Sequence, residues 1–371
     1  MLLEQAFAPV PGGTGRYALG LATGLSRTAP DGASVAGYVA WHRDLTPAAP
    51  AREAGIDLHR LPLPGRALLA AWEVGRGPRL RGPDLIHAPT PLFPPKAPSP
   101  LVVTVHDVVP WTHPETLTSR GVSWHRSMIE RALERAAAIA VPSRHVAGEL
   151  HRLLGADPAR VRVLGAGVGP RFRAAAPEVV RQVRQRHQLP EDYLISLATL
   201  EPRKGLDLLL SALAELGPRA PVLAVVGPSG WGGVNPLAQA ASLGLGADRV
   251  RVLGRVPDHD LVALLSGARA LVMPSRAEGF GLPVAEAMAV GTAVIASDAP
   301  ALAEVAGDAA LLTPVGDVAA LAAAIARLLG DDALAASLRA AGLGRAADYT
   351  WDEVGRRAWA LYGEILGRGH G

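Results

Sequence analysis

At 371 residues, 49% of them hydrophobic and 19% charged, the chain exceeds what one core usually holds and can bury two, so two domains of roughly 150 to 200 residues are expected. The formal net charge is only +3, aromatic residues make up 4% and cysteine is absent, which excludes disulfides and thiolate metal sites and leaves no stacking platform for nucleic acid. No run of about 18 apolar residues is available for a membrane span. Met1-Leu2-Leu3-Glu4 lacks the basic and apolar regions of a signal peptide, and cytoplasmic residence is the expectation.

In chain order, residues 2–5 form a short first strand, and the loop of residues 9–15, which holds Gly12 and Gly13, opens a helix from Arg16 to Arg27. Gly13-Thr14-Gly15-Arg16-Tyr17-Ala18 fits the G-x-G-x-x-A dinucleotide fingerprint of a nicotinamide-dependent oxidoreductase. Two prolines, however, separate the glycines from the strand, and the next strand, residues 34–40, ends in Trp41-His42 instead of the acid that would hold a ribose. Short apolar runs at residues 56–61, 85–87, 101–105, 139–141 and 161–163 alternate with helical or proline-rich spacers, the pattern of a parallel, doubly wound sheet. His106-Asp107 follows one of these runs directly, at the carboxyl end where active groups of such sheets sit. There His106 could donate to a sugar hydroxyl or a leaving phosphate, or be held by neighbouring backbone, whereas His87 and His113 read as structural. A long amphipathic helix is expected over residues 115–137, and Ser143 caps the next one.

Residues 120–186 carry thirteen arginines against five acids, an excess of eight positive charges. Such a stretch is either a solvated face or a surface for anionic lipid or a phosphorylated acceptor. Residues 165–170 and a charged helix over 178–187 link to the second half. That half opens with a strand, residues 193–197, running into Ala198-Thr199-Leu200-Glu201-Pro202-Arg203-Lys204-Gly205. Lys96 and Lys204 are the only lysines, so a compact ammonium at Lys204 stands out against an arginine background. Arg203 and Lys204 lie where the strand yields to a helix, whose first N–H groups and positive dipole end favour an anion. Further strands are expected at residues 222–226, 250–253, 270–273, 293–296 and 310–312, with helices at 318–329, 333–346 and 351–366. Asp258-His259-Asp260 imitates a D-x-D metal motif but reads as the N-cap and first turn of a helix over 261–268.

The densest stretch runs from Met273 through Glu278-Gly279-Phe280-Gly281-Leu282-Pro283 to Glu286. It reads as strand, glycine-broken loop and helix, with Pro283 in the first turn where its missing N–H is harmless. Glu278 and Glu286, with seven residues between them, bracket the helix start as acceptors for sugar hydroxyls. Taken alone, they are equally a capping acid and a solvated one.

Together these residues resemble the E-x7-E motif of the retaining glycosyltransferases of family 4, and the resemblance extends along nearly the whole chain. It implies the GT-B architecture: two facing Rossmann-like domains with parallel sheets and an interdomain cleft. Residues 1–170 would be the acceptor-binding domain, 171–348 the nucleotide-sugar-binding domain and 349–371 a helix returning to the first. It also implies that Arg203 and Lys204 neutralise the donor diphosphate together with the N–H groups near Gly281 and Leu282. Glu278 would orient the transferred sugar and Glu286 hold the ribose, with Phe280 between them. Arg255 and Val256 would meet the nucleobase, and Gly12 and Gly13 would close over the phosphates. His106 completes the catalytic set of His106, Glu278, Arg203 and Lys204, with no metal and no cofactor besides the nucleotide sugar.

Within the family, Gly13-Thr14-Gly15-Arg16-Tyr17, His113-Pro114-Glu115 and Thr199-Leu200-Glu201-Pro202-Arg203-Lys204 are similar to the mannosyltransferase B-like branch of polysaccharide assembly. That similarity favours GDP-mannose over dTDP-rhamnose, UDP-glucose or UDP-GlcNAc. It implies a glycan or lipid-linked acceptor, and the arginine-rich stretch Arg120 to Arg186 would allow a cytoplasmic protein peripheral contact with the anionic inner face of the membrane. A phosphorylase or epimerase of the same fold and a non-catalytic nucleotide-sugar-binding partner are the other classes. Ala198, where many relatives have glycine, narrows the space beside the diphosphate.

Overall fold

The structure, a computed structural model, describes residues 1–367. The chain forms two compact units. The first comprises Met1–Thr112, Ser119–Gly167 and the chain from Tyr349 on, and the second comprises His113–Thr118 and Val168–Asp348.

In the first unit β1 (Ala36–Val39) and β2 (Asp57–Arg60) pair in parallel, and β3 (Ile86–Ala88), β4 (Leu101–Thr104), β5 (Ala138–Val141) and β6 (Val161–Val163) form a second parallel sheet in that order. Strands β3, β4 and β5 are buried along their whole length, which is why they appear as continuous apolar runs and not as alternations. The segment expected as a first strand departs from that reading. Its start does pair, with the Leu2 N–H on the His87 carbonyl at 3.0 Å, the Leu3 N–H on the Tyr38 carbonyl at 2.9 Å and a Leu2–Tyr38 bridge, but Glu4–Phe7 winds into a 3-10 turn, where the Glu4 carboxylate accepts the Ala40 N–H at 2.7 Å and pairs with His42 at 3.0 Å.

The first helix also begins earlier than its pattern indicates, spanning Gly12–Arg27 and taking Gly12 and Gly13 into its opening turn. The expected helix over 115–137 is broken. Pro114–Thr116 forms a 3-10 turn whose Thr116 N–H and hydroxyl both fold onto the His113 carbonyl, Leu117 is extended, and the long helix spans Ser119–Arg135. Ser143 does cap its helix, Arg144–Leu154, accepting the Val146 N–H at 3.2 Å.

The helix Trp351–Gly367 packs on the helix Gly12–Arg27. The contact needs small residues: a Cβ on Gly20 would lie 2.1 Å from the Trp351 ring, and one on Gly24 would lie 2.0 Å from the Trp351 carbonyl oxygen. The same helix reaches the sheet through Tyr362, whose hydroxyl bonds Nδ1 of His87 at 2.5 Å, while His87 Nε2 bonds the Thr104 hydroxyl at 2.8 Å. Burial disfavours the imidazolium and pushes His87 down to about 3. Between pH 6.5 and 3 the unfolded chain therefore holds a proton on this residue that the folded chain does not. Stability from this source is complete above pH 6.5 and drains away toward pH 3, at up to about 1.4 kcal/mol per pH unit. The stability gap between wild type and His87→Gln, measured in urea at pH 7 and pH 5, is expected to shrink at the lower pH. An unchanged gap contradicts the assignment.

The second unit is one six-stranded parallel sheet in the order β12-β11-β10-β7-β8-β9. Its strands are β7 (Tyr193–Leu197), β8 (Val222–Val226), β9 (Val250–Gly254), β10 (Ala270–Met273), β11 (Ala293–Ser297) and β12 (Leu311–Thr313). Counted from β7 this is the doubly wound order 3-2-1-4-5-6 read from β9, with the chain reversing direction across the sheet between β7 and β10. Helices Leu206–Leu216, Val318–Gly330 and Asp332–Ala346 contribute to the core cluster on the sheet that includes Leu209, Leu213, Ile295 and Ile325.

Candidate functional site

Ligands of open α/β sheets bind outside the carboxyl ends of the strands at the switch point, and here the switch point lies between β7 and β10. The segment after β7 carries Glu201, Arg203 and Lys204, and the segment after β10 carries Arg276 and Glu278. Gly205 joins the two. It sits at φ +68°, the left-handed region, and a Cβ there would lie 2.1 Å from the Pro274 carbonyl oxygen. That approach lets the Arg276 N–H donate to the Arg203 carbonyl at 2.8 Å, so the two loops are bonded by backbone as well as side chains.

The side chains converge on Glu278. Lys204 Nζ donates to one carboxylate oxygen at 2.7 Å and Arg203 Nη1 to the other at 3.1 Å, while Arg203 Nη2 donates to Glu201 at 2.6 Å and Nη1 also to the Ala277 carbonyl at 2.8 Å. All four charged side chains are at most 15% exposed, so the Coulomb terms are weakly screened. Burial opposes ionisation of Glu278, but the attraction of Lys204 and Arg203 outweighs it and holds the carboxyl at about 2. At neutral pH Glu278 is thus an acceptor of hydrogen bonds and no source of protons. Glu201 moves the other way: its burial raises it, the two cations oppose this in part, and the charge on Glu278 adds to the rise.

Sequence reasoning gave Glu201 no role. Its only signal is an acid two residues before an arginine in extended backbone, at φ −140° and ψ 152°, and the ion pair comes from the fold. The pair of Arg276 with Asp207, at 2.9 and 2.5 Å, was equally unread.

Past Glu278 the chain turns through Gly281, at φ +105°, into the helix Leu282–Ala289. A side chain at Gly281 would collide with Leu302, 2.5 Å from its Cβ. The helix start therefore presents bare backbone N–H groups at Gly281 and Leu282, able to meet an anion. Phe280 is buried at the turn and Glu286 lies one turn inside the helix, 3% exposed. Gly254 closes β9 at φ +64°, followed by an exposed Arg255 and a half-buried Val256. Asp258 and Asp260 belong to the first turn of the helix Asp258–Gly267, where Asp258 pairs with Arg171 at 2.7 Å and Asp260 with Arg186 and His187 at 2.9 and 3.0 Å.

In the first unit, His106 follows β4 and its Nε2 bonds the Pro89 carbonyl at 2.7 Å. That nitrogen must be the donor, so the ring is held by neighbouring backbone, one of the two readings its sequence position allows, and the bare Nδ1 of the neutral ring is left as an acceptor. Burial lowers its pKa and keeps the ring neutral. Tyr17, on the helix led by the exposed Gly12 and Gly13, stands edge-on to His106 at 4.7 Å. The arginines of residues 120–186 divide between the two units, and many are engaged: Arg126 with the Pro110 carbonyl, Arg131 with that of Glu73, Arg152 with Glu149, and Arg181 with Glu178. No helix of the described residues is long and apolar enough to cross a membrane.

Residues 11–172 match the family described as Glycosyltransferase Family 4, and residues 180–345 match Glycosyl transferases group 1. O-antigen chain mannosyltransferase B of Escherichia coli is 32% identical over 256 residues, which cover 68% of this chain and 67% of that protein. The serotype-specific mannosyltransferase WbdA of Escherichia coli is 31% identical over 241 residues, 63% of this chain but only 29% of its own length. Anabaena HepE, solved in complex with UDP and glucose, superposes with a TM-score of 0.76 over 97% of this chain and 98% of its own at 20% identity, a likeness that shows the fold. With both halves matched in sequence and nearly the whole chain matched in architecture, the protein belongs to the family 4 glycosyltransferases and has their GT-B fold.

Proposed function

We propose that this glycosyltransferase moves a hexosyl unit, with GDP-mannose as the favoured donor, to a hydroxyl of a glycan or lipid-linked acceptor, with retention of configuration and without a metal. The observation that carries the reading is the ion-pair cluster of Arg203, Lys204 and Glu278 at the switch point of the six-stranded sheet, where the helix Leu282–Ala289 begins. As the anomeric carbon–oxygen bond breaks, its electron pair goes to the departing diphosphate. Arg203, Lys204 and the N–H groups at the helix start then meet that charge, a preorganised term often the largest in catalysis. These cations do what a divalent ion would otherwise do. Glu278 accepts from hydroxyls of the transferred sugar and Glu286 from the ribose, while Arg255 and Val256 border the base. His106, through Nδ1, accepts from a sugar hydroxyl, and Gly12 and Gly13 leave room for the phosphates. The acceptor oxygen attacks on the face the diphosphate leaves and passes its proton to the departing phosphate oxygen.

Identity to the mannosyltransferase relatives supports mannose. UDP-glucose is the second reading, favoured by the UDP and glucose bound to HepE. A lipid-linked acceptor would draw the chain to an anionic surface, for which residues 120–186 supply positive charge. A thermal-shift panel of GDP-mannose, UDP-glucose, dTDP-rhamnose and UDP-GlcNAc tests the donor. A true donor at about 100 times its dissociation constant stabilises by about 2.7 kcal/mol. No shift with any of the four contradicts the reading, and a shift without turnover points to a non-catalytic binding partner. Excess chelator is expected to leave the transfer rate unchanged, and strict dependence on added magnesium or manganese contradicts the metal-free mechanism.

A further inference from the structure

We propose that Glu201 is a positioning residue of the donor site: it aims Arg203, and its charge limits how tightly the cation clamp holds a nucleoside diphosphate, so that this product can leave. The proposal rests on the glycosyltransferase reading above.

Backbone fixes the place of Glu201. Leu200 forms a parallel bridge with Ser229 and its N–H donates to the Pro228 carbonyl at 3.0 Å, while Pro202 restricts the chain on the other side. Gly230 permits the close approach of these loops, since a Cβ there would lie 2.6 Å from the Leu200 carbonyl oxygen. The Lys204 N–H then returns to the Glu201 carbonyl at 3.1 Å. The carboxylate is 2% exposed and lines the same small cavity as Lys204.

Arg203 is aimed from both ends of its planar fork. Nη1 donates to Ala277 and Glu278, and Nη2 donates to Glu201 at 2.6 Å, the shortest of the three bonds. Removing the Glu201 carboxylate leaves the guanidinium anchored on the Glu278 side only among these contacts. The neighbouring Arg276 is bound bidentately by Asp207 and donates to the Pro202 carbonyl, so the charge of Glu201 is set against Arg203 and Lys204.

The charge count gives the second role. Arg203 and Lys204 bring two positive charges, Glu201 and Glu278 two negative ones, and all four side chains are at most 15% exposed. A diphosphate therefore meets cations that are already balanced, and Glu201 competes with it for both. In so weakly screened a site a unit charge several ångströms from an anion changes its affinity by about tenfold or more. Glu278 is committed to the transferred sugar in this reading, which leaves Glu201 as the carboxylate that keeps the spent nucleoside diphosphate from being retained.

The test is calorimetric titration of GDP, guanosine, UDP and uridine into the full chain of wild type, Glu201→Gln and Glu201→Ala, with single-turnover transfer rates from the donor that wild type uses. Glu201→Gln removes the charge but keeps an acceptor oxygen for Arg203, whereas Glu201→Ala removes both. Glu201→Gln is expected to bind the diphosphate about tenfold more tightly than wild type, with no matching gain for its nucleoside. Its single-turnover rate should exceed that of Glu201→Ala by about tenfold, because only the carboxamide still aims Arg203. Diphosphate affinity in Glu201→Gln that is unchanged or weaker, or a gain shared equally by the nucleoside, overturns the proposal. Equal rates in the two variants overturn it as well. Should Glu201→Ala fail to fold, Glu201→Asp replaces it: its carboxylate stops one methylene short of Arg203, the same loss of rate is expected, and a wild-type rate overturns the proposal. A wild type that binds neither diphosphate more tightly than its nucleoside counts instead against the donor reading itself.

Discussion

Lys204→Ala is expected to lower turnover at least a hundredfold while the chain stays folded. The ammonium is one of two cations on Glu278, 2.7 Å from its carboxylate, and removing one preorganised donor from a buried charge-stabilising site typically costs about a hundredfold to a thousandfold in rate. Arg203 remains 3.1 Å from the same carboxylate, so the buried charge is not orphaned and the stability loss stays at about 1–3 kcal/mol.

The pH dependence distinguishes this account from simple loss of packing. Glu278 titrates at about 2 in the folded chain against an ordinary value of 4.5, so it contributes stability that is complete above pH 4.5 and lost as pH falls toward 2. Lys204→Ala raises that folded value, so the variant loses less stability than wild type over the same acid range. Lys204→Arg recovers only part of the rate, because a planar fork does not replace a compact ammonium. Turnover and urea midpoints on the same preparations check all three. Wild-type turnover in Lys204→Ala contradicts the clamp.

Gly205→Ala is expected to destabilise by on the order of 3 kcal/mol or more and to reduce activity over tenfold even in the folded fraction. Left-handed backbone strains a non-glycine residue by about 1–3 kcal/mol, and the added methyl also meets the Pro274 carbonyl, 2.1 Å from the Cβ position. The carbonyl belongs to backbone at the end of β10 and cannot move without taking Arg276 and Glu278 with it. Gly155→Ala isolates the contact, since Gly155 shares that left-handed conformation, at φ +63° and ψ +24°, but has nothing within 4 Å of a Cβ. That substitution should cost only about 1 kcal/mol. Equal losses for the two variants in urea unfolding would mean that the approach of the two loops is not what Gly205 secures.

The six-stranded sheet was legible in the sequence almost to the residue, because its four inner strands, covered on both faces, are apolar nearly throughout and the runs are cut by glycine and proline. The same holds for Arg203, Lys204 and Glu278, whose places at strand ends follow from local order alone. The missed features are tertiary. Glu4 leaves a strand pattern where its carboxylate accepts the backbone N–H of a distant residue, Ala40. The break at Leu117 lies in a helical pattern that the Thr116 bonds to His113 and the Leu117 N–H bond to the Pro114 carbonyl interrupt. Glu201 acquires its role from Arg203 turning back over it, and Asp207 from an arginine 69 residues away, neither of which leaves a periodic trace. For His106 the sequence offered the residue and its strand end, while the tautomer came from the Pro89 carbonyl.

The central claim, that the paired cations and the helix tip grip a diphosphate, is tested most directly by titrating GDP and guanosine, and UDP and uridine, into wild type and Lys204→Ala by calorimetry. The account predicts that wild type binds one diphosphate at least tenfold more tightly than its nucleoside and that Lys204→Ala abolishes most of that preference. An undiminished preference for the diphosphate in Lys204→Ala would contradict it.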